Sequence, residues 1–295
     1  MLRVKSRSGA SRRRHFLISW IKGNCEINYD ELGKHLGREM TGQRPLIGIT
    51  MRHELETERF YLARTYSEAV EAAGGAPVHL SLIPRVDYIG SMMERVDGLL
   101  LPGSASDVDP HRYGREPQRF LGSVHPLKDE TDLLALAEAE RRNLPLLAIC
   151  FGLQVWNVSR GGTLIQDIAT EVPQAIKHEQ GSPRGRRSHR VHLLADSALA
   201  SLAGAESVLV NSHHHQAIET VGRDLRATAW AADGLIEALE ETRPERWAVG
   251  VQWHPEIAWE EDEFSVRLFQ RFVQAARNYR ACEQGKELTS PTSVR

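Results

Sequence analysis

The chain has 295 residues, 41% of them hydrophobic, which is enough for one large domain with a well-buried core. Lys and Arg total 37 against 39 Asp and Glu, so no whole-chain field draws it toward nucleic acid or a membrane surface. Three widely separated cysteines, Cys25, Cys150 and Cys282, offer neither a CxxC pair nor an even disulfide framework, and no apolar run reaches transmembrane length. A soluble cytoplasmic protein is the expectation.

Residues 1–43 stand apart. No acidic residue precedes Glu26, while Arg3, Lys5, Arg7, Arg12, Arg13, Arg14 and Lys22 are all basic, a bias that transit peptides share. A twin-arginine export signal is excluded because FLISWI is too short for a signal core and is soon interrupted by Lys22, Glu26 and Asp30. We read the segment as a disordered extension, with Met40 marking an alternative start.

The domain itself is expected over 44–278. PLIGIT reads as a buried strand, and Leu62, Tyr66, Ala69, Val70 and Ala73 follow helical spacing up to a Gly74-Gly75 stop. Ala76 to Leu82 is a second strand, Tyr88 to Arg95 a short helix, and Val96 to Gly103 a third strand ending in a glycine loop. This alternation predicts an α/β fold with a doubly wound, mostly parallel sheet flanked by helices.

The polar, turn-rich segment 104–128 is an excursion over the same end of the sheet. Its Asp107, Asp109 and His111 specify no compact ligand set, so no metal is expected there. Asp129 to Arg142 is a helix, LLAIC (Leu146 to Cys150) a fully buried strand, and FGLQVWNVSR a helix stopped by Gly161-Gly162. Arg184, Arg186, Arg187 and Arg190 have no interleaved aromatics and read as a solvated loop suited to attracting an anionic substrate. Ser207 to Val210 is a strand ahead of His213, His214 and His215, a polar turn with metal binding as its alternative. Asp224 to Glu241 alternates as a small antiparallel strand pair, AVGVQW is a strand, and Phe264 to Ala276 is a helix before a polar tail at 279–295.

Cys150 falls on the corner between strand and helix, where a tight turn exposes a side chain above the sheet and the helix N-terminus favours a thiolate. Alone, a cysteine there is a small buried hydrophobe. Its chemical reading comes from WAVGVQWHPE, which sets His254 and Glu256 after another strand, where open α/β sheets place their ligands. Nucleophile, base and orienting acid are then all present.

Cys150-x-Gly152-x-Gln154 and His254-Pro255-Glu256 resemble the class I glutamine amidotransferase-like superfamily. Within it, LLLPGSASDVDPHRYG, GGTLIQDI and VNSHHHQAI are similar to the peptidase C26 group of γ-glutamyl-γ-aminobutyrate hydrolases, over about Pro45 to Ala276. The resemblance implies a flavodoxin-like sheet and a Cys150, His254, Glu256 triad. It also implies an oxyanion hole at Gly103-Ser104 and the N–H of Phe151, with Gln154, Ser212 and His214 in the substrate region.

The implied reaction is attack of Cys150 on the γ-carbonyl of a small γ-glutamyl amide, with a glutamyl thioester then hydrolysed to glutamate, as in putrescine or nitrogen catabolism. No metal or organic cofactor and no nucleic-acid or membrane partner is called for, and a homodimer stays open as the assembly. The alternative is a glutaminase subunit feeding ammonia to a separate synthase. A catalytically silent binding module fits less well, since Cys150, His254 and Glu256 are all intact. The polyamine-pathway hydrolases often carry Arg after the nucleophile; Phe151 here keeps the backbone donor and predicts an altered amine preference.

Overall fold

Short apolar runs become the strands of one sheet in the computed structural model, which describes residues 44–289. The basic segment 1–43 lies outside them. In chain order the first half comprises β1 (Leu46–Thr50), a hairpin of β2 (Arg52–Glu54) and β3 (Arg59–Tyr61), α1 (Arg64–Ala72), β4 (Ala76–Leu80), α2 (Val86–Met93), β5 (Gly98–Leu101), α3 (Pro126–Arg141), β6 (Leu146–Ile149) and α4 (Phe151–Ser159). The second half follows as β7 (Thr163–Ile165), α5 (Ile168–Glu171), β8 (His189–Leu193), α6 (Ala198–Ala203), β9 (Ser207–Val210), β10 (Ala217–Thr220), β11 (Leu225–Ala231), β12 (Ile236–Glu241), β13 (Ala248–Val251) and α7 (Glu263–Thr289).

The main sheet runs β4-β1-β5-β6-β13-β12-β11-β8-β9. From β4 to β13 every neighbour is parallel. Beyond β13 the pairing turns antiparallel. The pair expected over 224–241 is β11–β12, and β8 and β9 extend it, while β7 and β10 pair off the main path.

Successive residues of a strand point to opposite faces, and here both faces are covered, which is why the central strands read as unbroken apolar runs. Leu100, Leu147 and Ile149 share one core cluster with Tyr66 and Val70 of α1 and Phe269, Phe272 and Val273 of α7. Leu99, Leu101, Leu146 and Ala148 share the other with Ile89 of α2, Leu136 of α3 and Leu153 and Trp156 of α4. Each of the leucine, isoleucine and valine side chains among them contributes about 2 kcal/mol of burial.

The polar tail expected from residue 279 is instead helical as far as Thr289. Residues 279–289, YRACEQGKELT, carry no apolar stripe, but Ala, Glu, Gln, Lys and Leu are good helix formers and prolong a helix already nucleated on the core. Among the described residues no helix is long and apolar enough to cross a membrane.

Candidate active site

The elbow is held by backbone geometry. Cys150 has φ 52° and ψ −106° and stands at the N-cap of α4, a conformation unfavourable for an L-residue. Its N–H donates to Val251 O at 2.8 Å and its C=O accepts the Gln154 N–H at 3.1 Å, so strand and helix pin the turn from both sides. Gly152 is required at the crossing, because a Cβ there would lie 2.3 Å from Leu101 O of the adjacent strand.

Strand β13 runs parallel to β6 with Val251 opposite Ile149, which delivers His254 to the same end of the sheet as Cys150. Asn211 clamps the His254 backbone, accepting its N–H at 2.9 Å and donating to its carbonyl at 2.8 Å. The His254 Nδ1 bonds to Glu256 Oε1 at 2.7 Å, and both side chains are buried. Burial disfavours the imidazolium, but the Glu256 carboxylate and the Cys150 sulfur outweigh it and hold the His254 pKa at about 10. Burial likewise opposes the Glu256 carboxylate, and His254, with the Tyr66 hydroxyl, keeps it below the ordinary range.

Gly103 completes the contact. A Cβ at this position would meet His254 Cε1 at 2.7 Å and Cys150 Cβ at 3.4 Å. Its N–H donates to the Tyr66 hydroxyl at 3.0 Å, and its carbonyl accepts from Arg52 Nε. The Arg52 Nη2 also donates to Tyr66 Oη at 3.2 Å. Burial works against the Arg52 charge, yet the surrounding Tyr66, Glu256 and Cys150 raise its pKa above the ordinary arginine value.

A cavity of about 250 Å³ opens over this corner. Cys150, His254, Ser104, Gln154 and His214 line it, together with Arg52, Arg184, Asp107, Glu179, His215 and Gln216. Five of the residues expected from sequence therefore meet in one space. Glu256 stands behind His254 rather than in the cavity lining. The Phe151 side chain is buried in the core beside the Lys128 ammonium, with its backbone at the first turn of α4.

Ser212 is fully buried and outside the cavity lining; its N–H donates to Gln180 Oε1 and its carbonyl accepts the Gln180 N–H. The three consecutive histidines diverge: His213 bonds the Arg184 carbonyl, His214 turns inward, and His215 bonds Asp107 at 2.8 Å. That bond, ahead of the burial opposing it, raises the His215 pKa above the usual histidine value.

Arg52, Tyr66 and Asn211 escape sequence reading because their roles depend on partners 14 to 51 residues away for Arg52 and Tyr66, and 43 away for Asn211. Gln216 had a faint signal in its place after the histidines. Its side-chain carbonyl accepts the Val108 N–H, and its backbone carbonyl accepts from Gln154.

Known proteins resemble this chain over most of its length. The Peptidase C26 family model matches residues 45–256. The γ-glutamyl-γ-aminobutyrate hydrolase PuuD of Escherichia coli K12 is 32% identical over 251 residues, covering 81% of this chain and 96% of the relative. The glutamine amidotransferase-like protein YvdE of Lactococcus lactis is 36% identical over 214 residues, covering 72% and 88% respectively. Among solved structures, the glutaminase domain of Trypanosoma brucei CTPS superposes with a TM-score of 0.55 at 15% identity, covering 79% of this chain and 94% of that one. Its fold is that of the class I glutamine amidotransferases, and by the family match and its relatives the chain belongs to the peptidase C26 family of hydrolases.

Proposed function

We propose that the protein hydrolyses γ-glutamyl amides through a covalent cysteine intermediate, with γ-glutamyl-γ-aminobutyrate as the expected substrate. The observation that carries this reading is the convergence of Cys150 and His254 on one cavity with His254 Nδ1 2.7 Å from Glu256. Cys150 passes its thiol proton to His254, its Sγ attacks the γ-carbonyl, and the departing amine takes that proton from the resulting imidazolium as the C–N bond breaks. The thioester then yields to a water deprotonated by His254, releasing glutamate and restoring the thiol. Glu256 orients the ring and offsets its charge.

The tetrahedral oxyanion is assigned to the N–H groups of Phe151 and Ser104. The Gly103 N–H is already bonded to Tyr66, so Gly103 serves by leaving room. Arg52 and Arg184 share the cavity lining with Asp107 and Glu179, and this mixture of signs suits the zwitterionic α-amino-acid end of a glutamyl group.

The test is glutamate release by the purified protein from γ-glutamyl-γ-aminobutyrate, from glutamine and from other γ-glutamyl amines, with Cys150→Ala as control. Preference for the γ-aminobutyrate conjugate, lost in the variant, supports the reading. Release from glutamine alone redirects it to a glutaminase subunit, and full activity in Cys150→Ala sinks the cysteine mechanism.

A further inference from the structure

Beneath the cavity wall, His178, His189, His214 and Glu237 converge in the antiparallel half of the sheet, each more than nine-tenths buried. They come from four separate segments: the connection before β8, the start of β8, the turn before β10, and β12. The hydrolytic mechanism assigns a role to none of them, although His214 also lines the cavity.

Two of the rings have their protons placed by outer partners. His178 Nε2 is 2.9 Å from Asp233 Oδ2 and His214 Nδ1 is 2.9 Å from the Gln216 carbonyl. Both partners are acceptors, so in neutral rings these nitrogens carry the hydrogen and His178 Nδ1 and His214 Nε2 present lone pairs. Those two nitrogens lie 3.2 Å apart, facing the Glu237 carboxylate.

Lone pairs converging on a carboxylate repel unless a positive charge sits among them. One proton on His178 Nδ1 would relieve a single edge. It would leave both ring nitrogens of His189 and the second Glu237 oxygen without a hydrogen-bond partner among the described residues, at the full cost of burying polar atoms.

A metal ion satisfies His178, His189 and Glu237 at once, since their ligand atoms all lie within 4.8 Å of one another. Glu237 Oε1 lies 3.2 Å from His178 Nδ1, 3.5 Å from His189 Nε2 and 3.6 Å from His214 Nε2. A tetrahedral zinc ion with ligands at about 2.0–2.1 Å sets them about 3.3 Å apart. The Asp233 contact is the kind of outer carboxylate that orients a metal-binding histidine, here His178.

We propose that His178, His189 and Glu237 form a buried site for one divalent transition-metal ion, zinc in the first instance, with His214 packed at its edge. The role of the site is to tie the connection carrying His178 to β8 and β12. It is independent of the reaction at Cys150.

The experiment is zinc loading of the full-length protein, dialysis into metal-free buffer, and elemental analysis alongside thermal melting. Wild type is expected to retain about one equivalent and to melt higher with zinc than with chelator. Glu237→Gln and His189→Ala should each weaken zinc binding about tenfold or more, while Cys150→Ala, with the thiol removed, should load like wild type. Wild type that holds zinc no better than Glu237→Gln overturns the proposal, as does zinc lost in Cys150→Ala but kept in Glu237→Gln. Because wild-type metal content is read directly, a variant that fails to fold does not spare the proposal.

Discussion

The Tyr66 hydroxyl accepts the Gly103 N–H at 3.0 Å, tying α1 to the loop that faces Cys150. The same oxygen receives Arg52 at 3.2 Å. Tyr66→Phe removes the acceptor from a buried N–H and is expected to cost about 1–2 kcal/mol of stability. With the loop loosened, kcat should fall about tenfold, because catalytic geometry tolerates little displacement. Urea unfolding and glutamate release read the two effects separately; a variant unchanged in both would show that the bond positions nothing.

Glu256→Gln tests the origin of the His254 charge. The folded-state pKa of His254, about 10, lies above the ordinary 6.5. The imidazolium therefore contributes stability that is fully present below about pH 6.5 and is lost as pH rises toward 10. Without the carboxylate the pKa falls, so the stability gap between wild type and variant should narrow over that window. The alkaline limb of the rate profile should move to lower pH, with kcat reduced about 100-fold or more. An unmoved limb would assign the raised pKa to something other than Glu256.

Gly103→Ala places a methyl 2.7 Å from His254 Cε1. The ring must retreat from Cys150, and displacement on this scale is expected to lower kcat about 100-fold. Far-UV circular dichroism should stay that of wild type, because the clash is with a side chain at the cavity edge. Wild-type turnover in this variant would mean that the ring does not occupy the described position during catalysis.

Cys150→Gly and Cys150→Ala should both be inactive, but with an inverted order of stability. In ordinary backbone glycine is the destabilising choice of the two. At φ 52° the sign reverses, and Cys150→Gly is expected to be more stable than Cys150→Ala by about 1 kcal/mol. Denaturant midpoints of the two variants measure it; the opposite order would argue against a strained elbow.

The parallel half of the fold was legible because LLAIC, GLLL and AVGV are buried on both faces, leaving no polar residue to blur the strands. The β2–β3 hairpin was not, since Arg52, Glu54 and Arg59 give it a polar reading and its interest lies in Arg52 reaching Gly103. Cys150, His254 and Glu256 announce themselves by chemistry and by their positions after strands. Ser212 and His214 sit in a recognisable segment, yet only coordinates separate the buried Ser212 from the cavity-lining His214. The inward histidines were hidden because their shared partner, Glu237, reads in sequence as one polar residue in an alternating strand.

The pairing of β6 with β13 also governs when reactivity appears during synthesis. Cys150 and His254 follow neighbouring strands, yet Gln154 and its partner Gln252 at the same junction are 98 positions apart in sequence. Domains emerge N-terminus first, so a growing chain exposes its cysteine while the base is still unmade. Interrupted translation upstream of β13 would leave an elbow without a proton acceptor. The Cys150–His254 juxtaposition is thus completed only when β13 closes the sheet, and an incomplete chain would carry the thiol without the imidazole beside it.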